Sequence, residues 1–143
     1  PRAFTVEHNG LVNVLMTQVT IFNSLKPDKI TTVNAIWDTG ATNSCISEKI
    51  ANQLDLDAVG YVRMNTAAGT FDTKRYLVDI VLPNKIVVRK VQVTEAVLNN
   101  WDVIIGMDII CLEDFAISNY QGKTRFSFRI PSIQDVDYCI TDK

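Results

Sequence analysis

Asp38, Thr39 and Gly40 are the residues whose types and spacing offer this chain a chemistry. They lie in IWDTGATNSCIS (36–47), where the aspartate directly follows the apolar pair Ile36-Trp37. A carboxylate ending an apolar run is costly to bury unless something pairs with it or uses it. No residue within four positions of Asp38 is basic, so its partner comes from elsewhere in the fold or from another molecule. Gly40 permits a close backbone approach that a Cβ would forbid, and Thr39 supplies a short hydroxyl to fix the loop. Two such carboxylates held close would share one proton, since like charges at short range resist joint ionisation. The ionised member could then take a proton from water while the protonated one donates to a carbonyl oxygen under attack. No second Asp-Thr/Ser-Gly occurs in the 143 residues: Phe71-Asp72-Thr73 continues with Lys74, and Trp101-Asp102 with Val103. A single copy in a short chain points to a second identical chain, with a two-fold axis bringing Asp38 against its counterpart.

The elements that must position this loop read as mostly β. Residues 11–22 are rich in Val, Ile, Thr and Phe behind an Asn9-Gly10 turn signal, and 30–37 form a strand leading into Asp38. Strands over 59–66 and 71–82 flank Ala67-Ala68-Gly69-Thr70 as a hairpin. Pro83-Asn84 then turns the chain into a strand over 85–94. One helix is predicted from Ser47 to Leu54: Ser47 caps it, Glu48 suits its positive end, and Ile46, Ile50 and Leu54 share a face. Strands over 115–120 and 123–130 meet at Gln121-Gly122; Pro131 closes the pattern, and the tail after it carries no clear assignment. The expectation is one compact, mainly antiparallel β domain over residues 1–143, with one or two short helices.

With these elements in place, IWDTGATNSCIS resembles the active-site strand and loop of the retropepsin-like aspartic proteases, the single-domain homodimeric relatives of pepsin. DVIIGMDII (102–110) is similar to that family's second apolar-apolar-Gly element, which a short helix follows. The Gly69 hairpin stands where the family has its flap, and the hairpin around Gly122 is like the bacterial and cellular members. The similarity runs from about residue 11 to 130. It implies a closed, barrel-like all-β acid protease fold forming a two-fold homodimer. Asp38 would be the catalytic carboxylate, one per subunit. Thr39 would bond across the axis, while Gly40 and Ala41 support the loop. Ala67, Ala68, Gly69 and Thr70 would form the flap tip over an extended peptide. Ile105 and Gly106 would pack beneath the Asp38 loop. The implied reaction is peptide-bond hydrolysis without metal or other cofactor. The chain departs from viral members in having Thr42-Asn43-Ser44 where acidic residues are frequent, Met107 where an Arg is frequent, and one glycine in its flap.

Composition narrows the classes. Apolar residues make up 47% and charged ones 21%, with net charge −2, which fits a globular chain and argues against nucleic acid as the main partner. No apolar run reaches the length of a membrane span. Three scattered cysteines, Cys45, Cys111 and Cys139, argue against a disulfide framework; buried or incidental thiols in a reducing, cytoplasmic setting are the expectation. The start at Pro1 raises self-cleavage from a larger protein as a hypothesis. His8, the sole histidine, falls in a polar N-terminal segment expected to be mobile, which disfavours Ser-His or Cys-His hydrolysis. A zinc site would lack ligands. Asp55-Leu56-Asp57 reads as solvated residues at a helix end, Trp37 and Trp101 as core or interface aromatics. The reading from a different class is a catalytically inactive dimerisation or peptide-binding module on the same fold. Asp38 would then serve only as a turn residue.

Overall fold

The computed structural model describes residues 2–141. Its strands are β1 (Arg2–Glu7), β2 (Leu15–Asn23), β3 (Lys26–Trp37), β4 (Cys45–Ile46), β5 (Gly60–Thr66), β6 (Gly69–Leu82), β7 (Ile86–Glu95), β8 (Val103–Ile105), β9 (Asp114–Ser118) and β10 (Arg125–Ile130). Three short helices interrupt them: α1 (Glu48–Gln53), α2 (Met107–Ile110) and α3 (Tyr138–Thr141). One sheet runs β2-β3-β8-β4-β7-β6-β5, and a further β2–β6 pairing closes it into a barrel from which the β5–β6 hairpin projects. The all-β, barrel-like expectation holds. Most pairings are antiparallel, but β3–β8 and β4–β7 are parallel. β8 therefore lies between β3 and β4, the two strands that the Asp38 loop connects.

Alternation builds the barrel interior. Val19 and Ile21 on β2, Ala35 and Trp37 on β3, and Val103 and Ile105 on β8 are all nearly inaccessible, as period-two strands with one buried face require. The predicted helix forms with Ser47 as its cap, accepting from the Ile50 amide at 3.3 Å. Its face of Ile46, Ile50 and Leu54 is buried, as its spacing demands. β3 begins at Lys26 rather than at residue 30. The β2–β3 register shifts between Phe22 and Asn23, so Pro27 falls where no ladder amide is needed. The hairpin end is tied by Asn23, whose side-chain oxygen accepts from the Leu25 and Lys26 amides while its nitrogen donates to the Leu54 and Asp55 carbonyls.

A second sheet, ordered β1-β10-β9, corrects the picture of the N-terminus. Residues 2–7 form a strand paired to β10. His8 is anchored rather than mobile: its amide donates to the Thr124 carbonyl at 2.9 Å and its ring stacks on Phe126. Phe4, Phe115, Phe126 and Phe128 of this sheet surround Trp37, with Phe128 at 5.4 Å and Phe115 at 5.8 Å between ring centroids. Trp37 satisfies its indole N–H on Thr17 at 2.9 Å. The cysteines differ in part from expectation, since Cys45 is half-buried but Cys111 and Cys139 are exposed; all three are free thiols. Asp55 is not merely solvated, because Lys26 bridges it at 2.8 Å. No helix among the described residues is long and apolar enough to cross a membrane.

Glu113, between α2 and β9, is 8% exposed and neither carboxyl oxygen has a hydrogen-bond partner. Burial pushes it up to about 9. In the unfolded chain it ionises near 4.5, so the folded state holds a proton that the unfolded state loses between those values. Stability contributed by neutral Glu113 is therefore present at acid pH and lost as pH rises towards about 9. Thermal melts of Glu113→Gln should show a shallower fall in Tm from about pH 5 to about pH 9 than the parent. An unchanged slope would show that Glu113 already finds a charge partner.

Candidate active site

Asp38 follows directly on β3, and the parallel register with β8 determines where it stands. Trp37 pairs with Ile105, and the Asp38 amide donates to the Ile105 carbonyl at 2.9 Å. The loop then turns tightly: the Ala41 amide returns to the Asp38 carbonyl at 3.1 Å. The Gly40 amide donates to Asp38 Oδ1 at 2.8 Å. A Cβ on Gly40 would lie 3.1 Å from that same oxygen. Glycine here thus lets the backbone close onto the carboxylate itself. Oδ2 has no hydrogen-bond partner among the described residues. Asp38 is half-buried, while Thr39 and Gly40 are exposed.

Gly106 is the underside of this loop. A Cβ there would meet the Ala41 carbonyl oxygen and the Asn43 carbonyl carbon, each at 2.8 Å, which are backbone atoms with little room to yield. Next along the chain, the Met107 amide donates to the Ala41 carbonyl at 2.8 Å. The Gly106 amide donates to Ser44 Oγ at 3.0 Å, and that hydroxyl donates to Asp108 Oδ1 at 2.7 Å. Asp108 Oδ2 accepts the Ser44 amide at 3.0 Å, and its Oδ1 also takes the Ile109 amide at 3.0 Å. Further out, Ser47 donates to Asp102 Oδ1 at 2.9 Å, joining the start of α1 to the entry of β8.

Asp38, Thr39, Gly40, Ala41, Ile105 and Gly106 therefore come together, as their order in the chain suggested. Ala67, Ala68, Gly69 and Thr70 form a separate, exposed turn at the tip of the β5–β6 hairpin, with Thr66 paired to Gly69. Gly69 has φ +125°, open to glycine and strained for other residues. Thr70 donates to Asn65 across the turn at 2.9 Å. Sequence reasoning missed Ser44 and Asp108. An acid inside the apolar run IIGMDII was the available signal, by the same reasoning that singled out Asp38.

Asp108 could be mistaken for a second catalytic carboxylate, since the charges of both Asp108 and Asp38 act on the Cys45 thiol, which burial above all pushes up. Both oxygens of Asp108 are committed to Ser44 and Ile109, which makes it a structural acid. A cleft of about 1000 Å³ opens between the β5–β6 hairpin, the start of α1 and the segment 95–98, but Asp38 does not line it. Among the described residues no group of three or more His, Cys, Asp or Glu is placed to hold a metal ion.

Comparison with known proteins bears on this arrangement. The family model for the gag-polyprotein putative aspartyl protease matches residues 29–111, which include the Asp38 loop, the β5–β6 hairpin and Gly106. A retropepsin-like aspartic protease from Rickettsia conorii superposes with a TM-score of 0.56 at 9% identity, covering 89% of this chain and 93% of that one. The protease of simian foamy virus (mac) gives 0.51 at 18% identity over 69% and 92% of the two chains. EIAV protease, solved with an inhibitor, gives 0.52 at 22% identity over 73% and 90%. At these identities the structures speak for a shared retropepsin-like fold. No curated protein matches the sequence.

Two substitutions test the underpinning of the loop. Gly106→Ala should lower unfolding free energy by about 1–3 kcal/mol through overpacking. Ser44→Ala, which leaves the buried Gly106 amide without its partner and removes one of the two donors to Asp108 Oδ1, should cost a similar ~1–3 kcal/mol. Urea titrations read both. Wild-type midpoints would mean that the loop yields without strain.

Proposed function

Because the chain belongs to the gag-polyprotein aspartyl protease family, we propose that it is an aspartic endopeptidase in which two copies of Asp38, one per subunit, activate a water molecule. The observation that carries the reading is the contrast between the two oxygens of Asp38. Oδ1 is pinned by the Gly40 amide, and Oδ2 is left unbonded among the described residues of its own chain. A carboxylate placed so firmly, yet used so little by its own chain, suits a partner carboxylate across a two-fold axis. The pair shares one proton, as is the general account for aspartic proteases.

The ionised member removes a proton as water oxygen attacks the peptide carbonyl carbon, and the protonated member donates to the carbonyl oxygen. Collapse of the tetrahedral adduct breaks the C–N bond, with a proton passing to the leaving nitrogen. Thr39, exposed beside the carboxylate, holds the two loops level across the axis. The Gly69 hairpin acts as the flap, and its main chain adds to an extended substrate in the manner of a neighbouring strand. Its two-residue turn and exposure support that role.

A mass-spectrometric peptide-library digest, run with wild type and Asp38→Asn after both are shown to be dimers, tests the proposal. Cleavage should fall by about 10²–10⁴-fold or more in the variant. Equal cleavage by both would assign hydrolysis to another nucleophile. Cleavage by neither intact dimer would point to a peptide-binding module.

A further inference from the structure

We propose that the cleft beside the β5–β6 hairpin is a specificity pocket for a cationic substrate side chain, arginine above lysine, about three residues from the scissile bond. The inference rests on the protease reading above and names what its substrate must carry. The cleft, of about 1000 Å³, is lined by both apolar and acidic side chains. The hairpin and the segment after β7 contribute Tyr61, Phe71 and Val97, which are 66%, 52% and 98% exposed. Such apolar exposure around a concavity is unusual for a surface with nothing to cover. The lining also carries Glu48, Glu95 and Asp102.

Each of these acids keeps acceptor capacity. Glu48 has no hydrogen bond or ion pair among the described residues. Glu95 spends Oε1 on the Tyr76 hydroxyl at 2.8 Å, and Asp102 spends Oδ1 on Ser47. The charges of Glu95 and Glu48 both act on the Tyr76 hydroxyl, which is pushed up first by its burial and then by its bond to Glu95. Asp72 also lines the cleft but faces Arg63 at 3.6 Å. Lys49 and Lys74 complete the charged lining, so carboxylates outnumber ammoniums four to two.

An apolar side chain entering here would desolvate carboxylates without pairing them, which is unfavourable. An acidic one would be repelled. Arginine meets both kinds of lining: its stem and planar face lie along Tyr61 and Phe71, and its forked donors reach the free carboxylate oxygens. Lysine offers the charge without the fork or the stacking. Position follows from β8. Asp102 precedes Ile105, the residue that receives the Asp38 amide, by three strand steps. At ~3.3 Å per residue this is about 10 Å, or about three residues of extended substrate. A two-fold dimer sets one such pocket on each side of the cleavage point.

The test uses a peptide cut by the wild-type dimer, with Arg, Gln or Glu placed at each position from two to five residues on either side of the cleavage point. An Arg-to-Gln ratio in kcat/KM of about tenfold is expected near the third position, with Glu below Gln and the ratio shrinking in high salt. Glu48→Lys should bring the ratio close to one. A flat wild-type ratio overturns the pocket while cleavage itself upholds the protease reading. An Arg preference indifferent to Glu48→Lys also overturns it, because the selecting charge then lies elsewhere. Binding of labelled Arg-, Gln- and Glu-bearing extended peptides to Asp38→Asn, followed by fluorescence anisotropy and not dependent on prior cleavage, reads the pocket without turnover. Arg-selective binding with no cleavage by wild type would uphold the pocket and sink the catalytic role; no selectivity and no cleavage would sink both.

Discussion

The passage of Gly106 beneath the Asp38 loop is the constraint on which the remaining geometry depends. The loop backbone from Ala41 to Asn43 occupies the space that any side chain at 106 would need. With that space clear, β8 runs directly alongside β3, its Ile105 carbonyl receives the Asp38 amide, and Met107 can bond back to Ala41. Ser44 and Asp108 then seal the crossing with bonds that leave no buried polar group of their own unmatched. Above the crossing, Trp37 lodges in the aromatic cluster of the β1-β10-β9 sheet. Trp37, which attaches the barrel to that sheet, is directly followed by Asp38, so the packing of chain ends and the placement of the carboxylate are mechanically linked.

The acids of the chain sort by how their oxygens are used. Asp108 has both committed, as does Asp79, which takes Ser24, Lys90 and Arg89. Asp114 is gripped by Ser132, the Ile133 amide and Arg129, which together hold it far below the usual carboxylate range. These three are structural. Glu113 is the reverse case, buried without a partner and so favouring its neutral form. Asp38 belongs to neither class. It is fixed through Oδ1 by the Gly40 amide and keeps Oδ2 unbonded among the described residues, at the end of β3 beside the Gly106 crossing.

Much of this was legible in the sequence because it is local. The helix cap at Ser47, the face of Ile46, Ile50 and Leu54, and the turn at Gly69 follow from spacings of a few residues. Motif order also placed Asp38 near Gly106, although nearly seventy residues separate them. What escaped is non-local. β1 pairs with a strand more than a hundred residues away, and its short RAFTVE pattern acquires meaning only against Phe126 and Phe128. β4 has two residues, too few for any periodicity, and owes its existence to β7 and β8 on either side. The Ser44–Asp108 pair escaped because Ser44 was read as a departure from an acidic motif rather than as a partner for a distant acid.

Half-sites raise the demand on rigidity. In a chain with two different catalytic carboxylates, a shift in one loop can be offset by independent adjustment of the other. Under the two-fold proposed here, every displacement of Asp38 is repeated by its counterpart, so errors in separation and tilt are doubled. Misplacement by as little as about 1 Å can cost on the order of 100-fold in rate. That sensitivity accounts for the density of restraints within so short a loop: the Ile105 carbonyl behind Asp38, the Gly40 amide on its carboxylate, and the Ala41 turn locked by Met107. Two of those restraints come from β8 and α2, regular elements packed into the core.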